Sequence, residues 1–467
     1  MEEIAVVMVP LPAQGHLNQL LHLSHRISAH GLPVHFVGTP VHNRQAQVRL
    51  HGWDPQATSK IHFHDFSTTF PSPPPNPNST NKHPVQLLPS FYATVHLREP
   101  ICELVKKLSI TSKRVVVIHD SLMRYAIQDV ETIPNAESYC FHTPSALAMY
   151  TYYWQRAGKL VTVNGEAIDD VLRGGATARL PQELAQFFQM QAEFSKKRNW
   201  GNLYNTNRAI DGEYLNLIAR EEPFAAEKHW AIGPFNPTDI ISQKNRASDK
   251  KRHKCLDWLD KQPANSVIFI SFGSTTSLCD KQVEEIAIGL DKSGVKFIWV
   301  LRDADRADVF AGESRRANLP DGFEDRITKS GKGMIVRDWA PQLEILGHSS
   351  TGGFMTHCGW NSCIESISFG VPMAAWPMHS DQPRNAILVT KHLKTGVRVG
   401  EWGHDGELVN ANEVEKAIKR LMDSGEGDEM RMRAAAIRDA IRKSVEKDDE
   451  DDTTRTEMDA FISHLTR

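Results

Sequence analysis

The sequence predicts an α/β protein built from two open parallel sheets, each covered by helices and joined by a linker. Three observations carry this. Short apolar runs alternate with helix-period segments through the first half, at 4–9, 34–37, 61–66, 115–118 and 138–141. The alternation stops in a polar, basic stretch at 236–254 that contains Lys250, Lys251 and Arg252. It then restarts, with runs at 267–272, 297–301, 334–336, 353–355 and 371–375. Strands that alternate with helices form parallel sheets, because a parallel neighbour is reached only through a crossover about as long as a helix. The expected domains are therefore 1–235 and 255–450, with a linker at 236–254 and a last helix over 451–467. A chain of 467 residues can bury two such cores without cross-links.

The first run follows Met1, Glu2 and Glu3. It is short and its start is acidic, which suits a buried strand better than a secretory leader. After a loop at 10–15, Leu17, Leu20, Leu21 and Ser24 fall on one face of a helix. His62 and His64 share a face of the strand at 61–66, but two imidazoles without further ligands make no metal site. The proline-rich stretch 71–77 can continue neither strand nor helix and reads as a loop. In the second half, the strand at 267–272 runs into Gly273 and Ser274 and then a helix near 281–290. Asp303 and Asp305 form a DxD pattern after the strand at 297–301 and read as surface loop. Helical patterns run from about 411, and the acidic stretch 446–452 reads as solvated surface.

Composition narrows the function. The formal charge of −3 gives no general attraction to nucleic acid or anionic membrane. No run reaches the roughly 20 apolar residues needed to span a bilayer. Six scattered cysteines with no CxxC exclude a zinc or disulfide framework and fit a reduced, cytoplasmic setting. In that setting the acceptor pattern Asn78, Ser79, Thr80 goes unglycosylated.

Ligands of open α/β sheets bind beyond the carboxyl ends of the strands. The strand at 353–355 ends there in Thr356-His357-Cys358-Gly359-Trp360-Asn361-Ser362, followed by a helix. A helix start offers unpaired N–H groups and the positive end of the dipole, which suits a diphosphate. Gly359 allows close approach, and His357, Asn361 and Ser362 add donors. Glu365 shares a helix face with Ser362 and can accept from ribose hydroxyls. Trp339 offers a plane for a base, and Asp381 and Gln382 suit sugar hydroxyls. In the first half, His16 lies between strand and helix, where a neutral imidazole can act as general base. His119 and Asp120 end the strand at 115–118, and either could face it, though strand neighbours point to opposite faces.

The 44 residues 339–382 resemble, almost position for position, the signature box of the plant secondary-product UDP-glycosyltransferases. The resemblance implies the GT-B fold, two Rossmann-like domains facing a cleft, with inverting chemistry and no metal. It implies that Trp339 stacks on uracil beside the Ala340 backbone, and that Gln342 and Glu365 hold the ribose. Ser274, His357, Asn361 and Ser362 would hold the phosphates, and Trp360, Asp381 and Gln382 the sugar. Gln382 points to glucose rather than galactose. The family pattern selects His16 with Asp120 as the catalytic pair and puts Thr143 near the sugar. One departure is Cys363, where many members carry Thr or Ser.

Segments 117–123, 204–206, 299–305 and 378–385 look like those of the zeatin O-glucosyltransferases. That likeness implies UDP-glucose as co-substrate and the side-chain hydroxyl of cis- or trans-zeatin as acceptor. Flavonoids or other small phenols are the alternative acceptors, and a non-catalytic UDP-sugar-binding regulator is the alternative class. The acceptor loops are expected at 70–91, 143–154 and 181–200, where Phe91, Tyr150, Tyr153, Trp154, Phe187 and Phe188 supply aromatic surface for a planar ring. A monomer with no cofactor and no nucleic-acid or membrane partner is expected.

Overall fold

The computed structural model describes residues 2–50, 53–67, 87–168, 182–194, 199–221, 224–236, 252–273, 276, 278–302, 316–400, 408–444 and 453–467. The first sheet contains β1 (Glu2–Val9), β2 (Val34–Gly38), β3 (Ile61–Asp65), β4 (Ser112–Asp120) and β5 (Ala136–His142). A small antiparallel hairpin follows, β6 (Thr162–Val163) with β7 (Glu166–Ala167). Then β8 (Asn202–Tyr204) and β9 (His229–Ala231) complete the first sheet, in the order β3-β2-β1-β4-β5-β8-β9. The second sheet contains β10 (Val267–Ser271), β11 (Lys296–Val300), β12 (Gly333–Val336), β13 (Thr351–Thr356), β14 (Met373–Ala375) and β15 (Gly396–Arg398). Its order is β12-β11-β10-β13-β14-β15. Every pairing in both sheets is parallel.

Both orders reverse once, between β1 and β4 and between β10 and β13. Chains leaving the strands at such a switch point diverge to opposite faces and leave a crevice between them. The two halves therefore each present a ligand-binding edge, and the chemistry expected from the sequence falls on both.

The middles of the central strands, Ile4–Val9 and Val115–Ile118, are apolar because both faces are covered. Val6 and Met8 of β1 join Val34, Phe36, Val116 and Ile118 on one side of the first sheet. Ala5, Val7 and Val9 join Val115 and Val117 on the other. The helix Gln14–Ala29 buries Leu17, Leu20, Leu21 and Ser24, the stripe predicted from spacing. The helix Ala411–Met422 starts where it does because Asn410 and Glu413 form a reciprocal capping box. Strands β6, β7, β8, β9 and β15, of two or three residues each, are not among the runs expected from the sequence, whereas the three-residue β14 is, because it sits in a longer apolar run.

The last helix, Thr453–Leu465, does not extend the second half but returns to the first. Met458, Phe461 and Leu465 are buried beside Tyr139 and Trp230. Arg114 donates to the Leu465 carbonyl at 2.6 Å, the Tyr139 hydroxyl and His464 Nε2 are 3.0 Å apart, and Glu457 meets Arg208 and the Ala231 N–H.

His62 and His64 lie on β3 next to His35 of β2, whose Nδ1 is 2.9 Å from His64 Nε2. Among the described residues no three His, Cys, Asp or Glu are arranged to hold a metal ion, and no helix is long and apolar enough to cross a membrane. The stretches 71–77 and 446–452, the site Asn78, the residues Ser274, Asp303 and Asp305, and most of the linker lie outside the described residues.

Candidate active site

Strands β1 and β4 are neighbours, with Val9 opposite His119. The chain leaving β1 turns into the helix Gln14–Ala29 and brings His16 over the end of β4. There His16 Nδ1 lies 2.6 Å from Asp120 Oδ2. Asp120 is fully buried, and its other oxygen accepts the Leu122 N–H at 2.9 Å. The carboxylate is therefore clamped from both sides. Burial disfavours charge on the His16 ring, but the Asp120 carboxylate, its hydrogen bond and the more distant Asp381 outweigh it and hold the imidazole pKa above its ordinary value. His119 points away, with Nδ1 2.8 Å from the Asp120 carbonyl oxygen, and burial pushes it down to about 4. Thr143 follows β5, and its hydroxyl lies 3.2 Å from His16 Nδ1, so β1, β4 and β5 each contribute one of the three.

The second half presents the other edge. The helix Trp360–Phe369 begins after Gly359 with no side-chain cap, so its first N–H groups are open to an anion. His357 lies under this start. A Cβ on Gly359 or Gly273 would sit 2.5 or 2.6 Å from His357 Nε2, so the imidazole fits only between two glycines. Burial alone pushes its pKa down to about 4, which keeps it neutral. Cys358 and Ser380 hold left-handed backbone, with φ of 61° and 59°. Such residues cost on the order of 1 kcal/mol each and are typical of binding turns.

Gln342, Ser362 and Glu365 are brought together at the start of the helix Trp360–Phe369. Gln342 Nε2 donates to Glu365 Oε2 at 2.6 Å and to Ser362 Oγ at 3.3 Å. Trp339 is 63% exposed, a free aromatic plane, and Ala340 is half-buried beside it. Asn361 donates to the Gly15 carbonyl at 2.9 Å, which links the two edges next to His16. Cys363 is buried within its helix, and burial pushes its thiol well up, so it is inert.

Two sugar-side residues differ from the simple reading. The Trp360 indole is 3% exposed and donates to the Asn205 carbonyl at 2.8 Å, so it joins the halves and leaves only its backbone for a ligand. Gln382 is buried, and its carbonyl oxygen accepts the N–H groups of Met378 and His379 at 2.8 and 3.0 Å. Its amide nitrogen, 3.4 Å from both ring nitrogens of His379, is the part left for a sugar hydroxyl. Burial raises the pKa of Asp381, opposed by a hydrogen bond from Asn385 and by His16 and Arg384.

The six aromatic residues expected around the acceptor do not gather. Phe91, Phe187 and Phe188 pack together on one side of the first sheet, with Phe91 and Phe187 buried. Tyr150, Tyr153 and Trp154 belong to a different cluster with Tyr214 and Phe224. Their spacing, i, i+3 and i+4, is that of a helix's core stripe. Tyr152, on the opposite face, is exposed and carries the Arg384 guanidinium 3.9 Å above its ring. Asn385, also missed, is four residues after Asp381, the helical spacing that brings the two side chains together.

Comparison with known proteins gives consistent matches. Residues 2–237 match the family described as "Glycosyltransferase, N-terminal domain", and 184–440 match "UDP-glucoronosyl and UDP-glucosyl transferase". The chain is 50% identical to zeatin O-glucosyltransferase of Phaseolus lunatus, covering 100% of this chain and 97% of that one. It is 48% identical to zeatin O-xylosyltransferase of Phaseolus vulgaris, with 100% and 98% covered. It is 41% identical to cis-zeatin O-glucosyltransferase 2 of Zea mays, with 100% and 99% covered. Among solved structures, a UGT transferase from Siraitia grosvenorii in complex with UDP superposes with a TM-score of 0.76 at 27% identity, covering all of both chains. Phytolacca americana UGT2 complexed with UDP-2fluoro-glucose and pterostilbene gives 0.76 at 26% identity, with 99% of each covered.

Proposed function

Since this chain belongs to the UDP-glycosyltransferase family and has its GT-B fold, we propose that it transfers glucose from UDP-glucose to the side-chain hydroxyl of a zeatin-type cytokinin. The observation that carries the chemistry is the His16–Asp120 pair, 2.6 Å apart and bridged to the donor-side helix through Gly15 and Asn361. The Asp120 carboxylate accepts the hydrogen bond from Nδ1–H and so keeps the proton on that nitrogen, which leaves the Nε2 lone pair free to act as base.

Nε2 removes the acceptor's hydroxyl proton as its oxygen attacks the sugar's anomeric carbon. That C–O bond forms as the bond from the anomeric carbon to the diphosphate breaks. Attack from the opposite face inverts the centre. The proton stays on His16, stabilised by Asp120, until it passes to solvent. The leaving diphosphate gathers charge at the start of the helix Trp360–Phe369 beside His357, where backbone donors replace a metal ion. Trp339 holds the uracil, with Gln342 and Glu365 at the ribose. Asp381 and the amide nitrogen of Gln382 meet the hexose hydroxyls.

The acceptor rests on the full-length likeness to proteins named for zeatin, and glucose on Gln382. The test is a panel of cis- and trans-zeatin, isopentenyladenine and a flavonol, each with UDP-glucose and UDP-xylose. Zeatin should give an O-glucoside cleaved by β-glucosidase, and isopentenyladenine, which lacks the hydroxyl, should give none. Far higher kcat/KM for the flavonol overturns the cytokinin assignment, and preference for UDP-xylose overturns glucose. UDP-glucose binding without turnover on any acceptor favours a regulatory protein.

A further inference from the structure

We propose that Asn385 is a positioning residue that couples the meeting of the two halves to the orientation of Asp381 and of the turn that holds the diphosphate. This deepens the transferase reading above and rests on it.

Asn385 lies on the short helix Gln382–Ile387 and is fully buried. Its carboxamide is bonded at both ends, with both N–H groups donated. The oxygen accepts the Ser145 hydroxyl at 2.7 Å, and the nitrogen donates to the Cys358 carbonyl at 3.0 Å and to Asp381 Oδ2 at 2.6 Å. Each partner belongs to a different part of the site. Ser145 is fully buried at the start of the helix Ala146–Arg156, two residues after Thr143, whose hydroxyl reaches His16. Cys358 is the left-handed residue between His357 and Gly359. Asp381 faces the sugar in the proposed mechanism.

The geometry leaves no slack. An amide has two hydrogens and one carbonyl, so moving any one partner strains the other two bonds. The Ser145 hydroxyl can reach Asn385 only when the halves are together. When they separate, Asn385 loses its oxygen's donor and becomes free to turn, and Asp381 loses a fixed partner. Nearby, Arg384 donates to Gln155 at 2.6 Å and stacks on Tyr152, so the same short helix is held against the first half at two successive residues. The ionisable groups around Asp381 are His16 and Tyr152 from the first half, Arg384 from its own helix and Cys363 from the helix Trp360–Phe369, with desolvation holding the tyrosine hydroxyl and the thiol neutral. Asn385 donates to the carboxylate and fixes it without contributing charge.

The test uses two variants of the full chain, Asn385→Asp and Ser145→Gly, with melting temperature measured to establish folding and UDP affinity measured beside it. In Asn385→Asp, two buried carboxylates sit within hydrogen-bond distance and share a proton. The singly protonated pair imitates the amide, and the doubly ionised pair repels. The variant should therefore lose kcat as pH rises, a basic limb that the wild type lacks. Ser145→Gly keeps a residue tolerated at a helix N-cap but removes the donor to Asn385. A buried acceptor left unpaired should lower kcat on the order of 10-fold, and because the same amide holds the Cys358 carbonyl, UDP affinity should weaken with it while the melting temperature shows the chain folded. An Asn385→Asp profile of wild-type shape, or a Ser145→Gly variant with wild-type kcat, overturns the inference. If the wild type turns over no acceptor with any UDP-sugar, the transferase reading itself falls.

Discussion

Replacing Asp120 by asparagine tests the catalytic reading most sharply, because the structure dictates which way the new amide must face. Asp120 accepts on both oxygens, from the Leu122 N–H at one and from His16 Nδ1 at the other. The Leu122 N–H is backbone and can only donate. The introduced carboxamide therefore turns its carbonyl toward Leu122 and its NH2 toward His16. An NH2 facing Nδ1 requires that Nδ1 be the acceptor, which puts the ring proton on Nε2, where the acceptor hydroxyl must deliver its own. The opposite rotamer sets donor against donor at Leu122 and costs about 1–3 kcal/mol. A charge-assisted hydrogen bond to the imidazolium is worth about 1.5–3 kcal/mol, roughly 10- to 150-fold in rate, and the wrong tautomer adds to this. The combined loss in kcat should be about 10²- to 10⁴-fold. UDP affinity should not change, because the donor groups lie on the other half.

The pH profile gives a second reading of the same variant. A base works only when neutral, so the rate climbs as pH rises through its pKa. In the wild type that pKa lies above the ordinary 6.5, so the rate should still be climbing there. Without Asp120 the depressing effect of burial dominates, and the acid limb should move below that value. Steady-state UDP release from about pH 5 to about pH 9, which brackets the imidazole range, with calorimetry for UDP, decides both. An Asp120→Asn variant with kcat within about threefold of wild type, or with an unmoved acid limb, would refute the reasoning.

Further outcomes follow from the donor side. Gln382→Glu keeps the oxygen that accepts from Met378 and His379 but removes the amide donors, so kcat/KM for UDP-glucose should fall about 10-fold with UDP affinity retained, and the buried carboxyl should lower the melting temperature; an unchanged kcat/KM removes Gln382 from sugar recognition. Trp360→Phe leaves the buried Asn205 carbonyl without its donor and should cost about 1–3 kcal/mol, visible as a lower melting temperature; an unaltered melt means the indole does not hold the halves together. EDTA should leave turnover unchanged, since a helix start and neutral donors suffice for the diphosphate, whereas strong loss restored by Mn²⁺ would point to a required metal.

The donor edge was legible because it is local. Residues 339–382 form one continuous segment, and His357, Ser362 and Glu365 are placed by a strand end and one helix. His16 and Asp120 were legible for a related reason, since each follows a strand whose end faces the cleft. Contacts across the halves were not. Ser145 and Asn385 are 240 positions apart, and Asn205 and Trp360 are 155 apart, so no window contains both partners. The division of the six aromatics between two clusters is not visible in composition, which carries no information about face. Tyr150, Tyr153 and Trp154 have core spacing, and the exposed Tyr152 between them is the one that reaches the donor half.

The return of the helix Thr453–Leu465 to the first sheet bears on how the molecule is made. Tyr139 and Trp230 receive Phe461 as part of their cover, so a growing chain cannot finish its first half until the residues around 461 have emerged. Until then the acceptor-side sheet carries an uncovered aromatic patch, and the donor half must be synthesised in the meantime. The two halves are thus finished in the reverse of their order of synthesis. A nascent chain arrested before this helix should expose the Trp230 surface to chaperones, and the helix supplied as a separate peptide should bind there.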